Sequence, residues 1–224
     1  MPIDPSAAIE LTAFKWVPPF ARGQVRDLRP RWAMEEQGLD YRLRLLDATR
    51  PCPEPYLLEQ PWGQVPVLDD GGVTLFESGA ILLHLAQKDE RLLPADPQRR
   101  ATATSWLFAA FNSIEPLMFE LSTVSIFSRD AEWATLRKPS LMETLGGRLD
   151  RLADRLGDAG YLDGEFTVAD IAMATVLRVA HRTALVPDRP RLAAYLARCE
   201  ARPAFQRALA DQLAEFDRNE PAAA

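Results

Sequence analysis

Two short stretches hold the residues whose types and spacing can do chemistry. In the first, Gln64-Val65-Pro66-Val67-Leu68, a proline follows a β-branched residue at the entrance to an apolar run. Proline cannot donate to a strand ladder, so Pro66 belongs at a strand start or an edge, where a cis bond is also compatible. Such a bend turns the Val65 amide and carbonyl outward, able to pair with an extended peptide as an added strand does. In the second, Leu75-Phe76-Glu77-Ser78-Gly79-Ala80-Ile81, the Glu77-Ser78 pair ends one run and opens a helical one. A hydroxyl in the first turn, together with the unpaired amides of a helix start, makes a place for an anion such as a carboxylate. Glu77 beside it supplies a negative partner for an ammonium, so the pair fits the head of an α-amino acid. Taken singly, Ser78 is also an ordinary helix cap and Val65-Pro66 an ordinary turn.

The elements that must position these groups follow from periodicity. Residues 8–14 read as a strand and 21–37 as a helix closed by Gly38, with Pro30 implying a kink or a later start. Residues 41–46 alternate as a second strand and 55–60 make a short helical turn. Residues 67–69 and 73–76 flank the Asp70-Gly71-Gly72 turn as a hairpin, and a helix over 78–88 follows. The order is βαβ followed by ββα. Between residues 91 and 97, Pro94 and Pro97 interrupt any continuous helix. Beyond them the pattern is helical: about 98–121 bent at Pro116, 141–156 with Leu145, Leu149, Leu152 and Leu156 on one face, and 167–181 opened by Thr167-Val168-Ala169-Asp170 as a capping box. Two more helices cover 190–202 and 203–217. The fold class is α/β plus all-α, with an α/β domain over residues 1–90 and an all-helical domain over 98–224.

Composition narrows the function classes. Apolar residues make up 47% and charged residues 26% of 224, ordinary globular usage, and no apolar run reaches the ~18 residues that a membrane span needs. The net charge of -6, with arginines and glutamates interspersed, gives no footprint for nucleic acid. Met1 to Leu11 resembles neither a signal nor a transit peptide, which sets the expected compartment as the cytoplasm. Cys52 and Cys199 lack metal or redox spacing and read as free thiols, and His84 and His181, the only histidines, exclude a multi-histidine metal site.

The two stretches in combination resemble the signature of cytosolic glutathione transferases. A second likeness lies at Phe166-Thr167-Val168-Ala169-Asp170-Ile171-Ala172, which is similar to that family's capping box and hydrophobic staple, a structural element. The resemblance runs over nearly the whole chain. It implies a thioredoxin-like first domain, a helical-bundle second domain, a cleft between them and a homodimer. It also implies glutathione as co-substrate: Val65 would pair with its cysteinyl backbone next to a cis Pro66, with Gln64 in the same loop, and Glu77 and Ser78 would hold its γ-glutamyl end. Arg50 is a candidate for the glycine carboxylate. Trp16 and Phe111, with Trp106, Met118 and Phe119 on the bent helix, are candidates for the pocket of a small hydrophobic electrophile.

The sequence departs from that family where the thiol is usually activated. A Ser, Tyr or Cys is expected just after the first strand, but the position falls on Pro18, and residues 14–29 contain no Ser, Thr, Tyr or Cys. Lowering a thiol from about 8.5 to near 6.5 needs roughly 2.7 kcal/mol, within reach of one hydrogen bond to the charged form plus a helix terminus. The expectation is that backbone amides at Phe20 and Ala21, helped by the Arg22 guanidinium, bind the sulfur; Arg22-Gly23 also resembles an Arg-Gly pair of alpha-class members. Arg22 is equally an ordinary surface residue. The implied activity is conjugation of glutathione to an electrophile. Glutathione-dependent disulfide reduction or isomerisation, and non-catalytic binding of glutathione or another ligand, are the alternatives.

Overall fold

The computed structural model describes residues 3–48, 52–180 and 183–221. The chain divides into two compact units, residues 1–89 with 202–224, and residues 90–201.

In the first unit, β1 (Ile9–Phe14), α1 (Leu28–Gln37) and β2 (Tyr41–Leu46) form a βαβ crossover. A short α2 (Glu54–Leu57), β3 (Val67–Asp70), β4 (Val73–Phe76) and α3 (Ser78–Ala86) follow. The sheet order is β2-β1-β3-β4, with β2 parallel to β1 and both β3 pairings antiparallel. Central β1 is covered on both faces: Leu11, Thr12 and Ala13 are all buried. The Asp70-Gly71-Gly72 turn closes the β3–β4 hairpin with both glycines at positive φ. Helix α1 begins at Leu28 rather than 21, because Pro30 is accommodated only in a first turn, and residues 21–27 form successive turns. Gly38 closes it in the left-handed conformation at φ 68, its amide bonded to the Met34 carbonyl.

The last helix, α9 (Pro203–Arg218), packs on α1. Trp32 and Phe205 meet edge to face at 4.8 Å, Arg202 clasps Glu36 at 2.6 and 2.8 Å, and Arg207 reaches Glu35 at 2.7 Å. Deeper in, Gln212 donates to Asp27 at 2.8 Å. The final helix thus belongs to the same compact unit as the sheet and α1.

The second unit is all helical. It contains α4 (Pro97–Ala109), α5 (Glu115–Ser122), α6 (Glu132–Leu156), α7 (Val168–Leu177) and α8 (Pro190–Glu200). The expected bend near Pro116 is a π-helical segment, Ala110–Ile114, after which Pro116 occupies the first turn of α5. Helix α6 starts nine residues earlier than its leucine stripe indicates and carries Pro139 internally. The stripe itself, Leu141, Leu145, Leu149, Leu152 and Leu156, is buried. The Asp170 carboxylate accepts from the amides of Thr167 at 2.9 Å and Leu162 at 3.1 Å, and from the Tyr195 hydroxyl at 2.9 Å, fixing the start of α7. No helix among the described residues is long and apolar enough to cross a membrane.

Candidate functional site

The loop before β3 is held by hydroxyls. Thr12 Oγ1 on β1 accepts from the Val67 amide at 2.6 Å and lies 3.1 Å from the Tyr56 hydroxyl. That hydroxyl donates to the Gln64 carbonyl at 2.6 Å, so α2 and β1 together fix residues 64–67. Burial pushes the Tyr56 phenol up, keeping it a protonated donor. The Val65-Pro66 bond is cis. Between these anchors, neither the amide nor the carbonyl of Val65 is bonded to another described residue. The Gln64 side chain accepts from Arg26 at 3.2 Å.

At the other end of the hairpin, α3 starts without a side-chain cap. Its first helical bond runs from the Ile81 amide to the Glu77 carbonyl, leaving the amides of Ser78, Gly79 and Ala80 without partners among the described residues. Ser78 is buried, and its Oγ accepts from the Arg29 guanidinium at 2.9 Å. Glu77 sits at φ 70 and ψ 115, where an L side chain is strained, and its residue is exposed. Glu77→Gly is expected to stabilise the unit by about 1 kcal/mol in urea titration. It should also weaken a zwitterionic amino-acid ligand about fivefold by removing the partner of its ammonium, as read by calorimetry.

The other expected site residues are placed as follows. The Ala21 amide donates to the Pro18 carbonyl at 2.9 Å, so it is engaged in a turn and is not offered to a ligand. Arg22 binds Asp217 at 2.7 Å and Glu220 at 3.3 Å, two acids at the end of the chain, and its buried Nε has no acceptor among the described residues. Of the groups expected near the sulfur, the Ala21 amide and both Nη groups of Arg22 already have partners within the unit. Phe20 is 43% exposed beside them. The Trp16 indole N–H is buried and has no acceptor among the described residues. Phe111 lies half-buried on the π-helical segment of the helical unit. Arg50 and His181 fall outside the described residues.

Three contributors escape a reading by motif: Thr12, Tyr56 and Arg29. Their signals are faint. Thr12 is a lone hydroxyl in β1, and Arg29 is one of several charged residues in a helix whose residues from Leu28 to Glu35 are all buried.

Residues 20–87 match the family described as Glutathione S-transferase, N-terminal domain, and residues 138–198 match Glutathione S-transferase, C-terminal domain. A glutathione S-transferase of Hyoscyamus muticus is 32% identical over 190 residues, covering 79% of this chain and 89% of that protein. Glutathione S-transferase F14 of Arabidopsis thaliana is 31% identical over 78% of this chain and 75% of its own length. Among solved structures, the theta class glutathione S-transferase of Xanthomonas axonopodis pv. citri with glutathione bound is 26% identical, with a TM-score of 0.76 over 91% of this chain and 97% of that one. The chain belongs to the glutathione S-transferase family of enzymes, with a thioredoxin-like α/β unit and a helical unit.

Proposed function

We propose that this glutathione S-transferase binds glutathione at the loop 64–67 and the start of α3, and transfers its sulfur to a small hydrophobic electrophile. The observation that carries the reading is the pairing of an unbonded Val65 peptide with an uncapped α3 whose first turn presents Ser78. An extended cysteinyl peptide would satisfy Val65 in both directions, as an added strand does. A γ-glutamyl carboxylate would take the Ser78 hydroxyl and the first amides of α3, and its ammonium would face Glu77. The glutathione-bound relative from Xanthomonas supports the ligand. Trp16 is proposed to contact the apolar acceptor, and Arg50 the glycine carboxylate.

Thiolate stabilisation is proposed for the segment 18–22. With no hydroxyl there and the Ala21 amide engaged, the Phe20 backbone amide and the positive charge of the Arg22 guanidinium are the groups proposed to favour the charged sulfur. Desolvation of that sulfur next to an apolar acceptor would supply the reaction. The chain is read as a cytoplasmic homodimer; the exposed Val73 and Phe76 of β4 are apolar surface that a second copy would cover. The test titrates the ultraviolet thiolate band of bound glutathione and measures conjugation of an aryl halide beside reduction of a small mixed disulfide. The expected midpoint lies about two pH units below that of free thiol, near 6.5, with conjugation dominant. A midpoint unchanged from the free thiol, or reduction without conjugation, sinks the transferase mechanism.

A further inference from the structure

The Ser78 hydroxyl proton has no acceptor among the described residues. A serine hydroxyl has one donor and two acceptor positions. Ser78 Oγ uses an acceptor position for Arg29 Nη1, at 2.9 Å, and donates to no described residue. Both partners are 4% exposed, so water has little access to replace either of them. Arg29 reaches Ser78 because it sits in the first turn of α1, and α1 packs on α3. An oxygen that accepts from a cation is polarised into a stronger donor, and the three open amides of α3 begin at the same residue.

We propose that Arg29 is a positioning residue for ligand recognition. By occupying one lone pair of Ser78 Oγ, it aims the hydroxyl proton at a bound carboxylate and makes the start of α3 selective for a ligand that carries one. This rests on the reading that the γ-glutamyl end of glutathione binds there. A ligand identical but for that carboxylate leaves the aimed hydroxyl and the open amides unpaired, the situation in which polar sites discriminate most sharply.

The experiment compares, by calorimetry, glutathione with its analogue lacking the γ-glutamyl α-carboxylate, γ-aminobutyryl-cysteinyl-glycine. The wild-type chain should prefer glutathione by about a hundredfold. Arg29→Met should cut that preference about tenfold while weakening the analogue less than about twofold. In a Ser78→Ala background, Arg29→Met should change the preference no further, because the two act as one unit. Equal weakening of both ligands, or independent effects of the two substitutions, makes Arg29 a structural residue and overturns the proposal. Should circular dichroism show that Arg29→Met does not fold, Arg29→Lys takes its place: an ammonium lacks the planar fork, and a preference unchanged from wild type overturns the proposal. A wild-type chain that binds glutathione without preferring it over the analogue overturns it too. One that binds neither ligand instead removes the reading of the site as glutathione's.

Discussion

Asp27→Ala is expected to destabilise the first unit by about 3 to 5 kcal/mol in urea denaturation. Arg31 is 1% exposed, and its Nε donates to Asp27 at 2.7 Å; Gln212 of α9 donates to the other carboxylate oxygen at 2.8 Å. Burial draws the Arg31 pKa down, and Asp27 with Tyr41 more than offsets this, so the guanidinium stays charged. Removing the carboxylate leaves that charge in the interior, where Arg31 Nη1 and the Tyr41 hydroxyl already have no hydrogen-bond partner within reach among the described residues. The loss should therefore exceed that of a surface pair several times over. It should also be largely reversed in the double variant Asp27→Ala/Arg31→Met, which takes out the stranded charge and keeps apolar volume. A single substitution costing less than about 1 kcal/mol, or a double variant as unstable as the single, would show that the loss does not come from a stranded Arg31 charge.

The same pair explains which parts of the fold the sequence makes legible. Features set by neighbours in the chain are readable: the Asp70-Gly71-Gly72 turn, the alternation over Tyr41–Leu46, the left-handed Gly38 and the capping box at Thr167. Each is decided by backbone conformation within a few residues. The membership of α9 is not, because it rests on Gln212 meeting Asp27 and Arg207 meeting Glu35, and charges on a helix face look like solvated surface until their partner is known. The early start of α6 is hidden for a related reason. Residues from Glu132 to Ser140 include Pro139 and are mostly exposed, so no apolar stripe marks them as helix.

The candidate site divides along the same line. Val65, Pro66, Glu77 and Ser78 stand out because they lie within one hairpin and its flanks. Thr12 and Arg29 act on groups 55 and 49 positions away, Val67 and Ser78, across a sheet pairing and a helix packing that local pattern does not encode. The absence of a hydroxyl over residues 14–29 is plain in the sequence, but the engagement of Arg22 by Asp217 and Glu220 is visible only once the chain end is seated.

The second large effect lies in the helical unit. Asp170→Ala should cost on the order of 4 kcal/mol, because it strands four donors at once: the amides of Leu162 and Thr167 and the hydroxyls of Thr167 and Tyr195. With ~5 to 15 kcal/mol as the usual stability of a domain, that loss would remove about a quarter or more of it. Asp170→Asn keeps one acceptor and should recover part of the loss. The two carboxyl forms also differ. Burial raises the Asp170 pKa to about 6, against the opposing pull of the hydrogen bonds from Leu162, Thr167 and Tyr195. An unfolded aspartate titrates near 4, so between about pH 4 and 6 the native state binds the extra proton, and this group's contribution to stability falls as pH rises through that window. The stability of wild type minus that of Asp170→Asn should therefore decrease by roughly 3 kcal/mol from pH 4 to above pH 6 and then level off. A difference that is flat with pH, or that grows as pH rises, would mean that Asp170 is ionised throughout and that its four donors outweigh its burial.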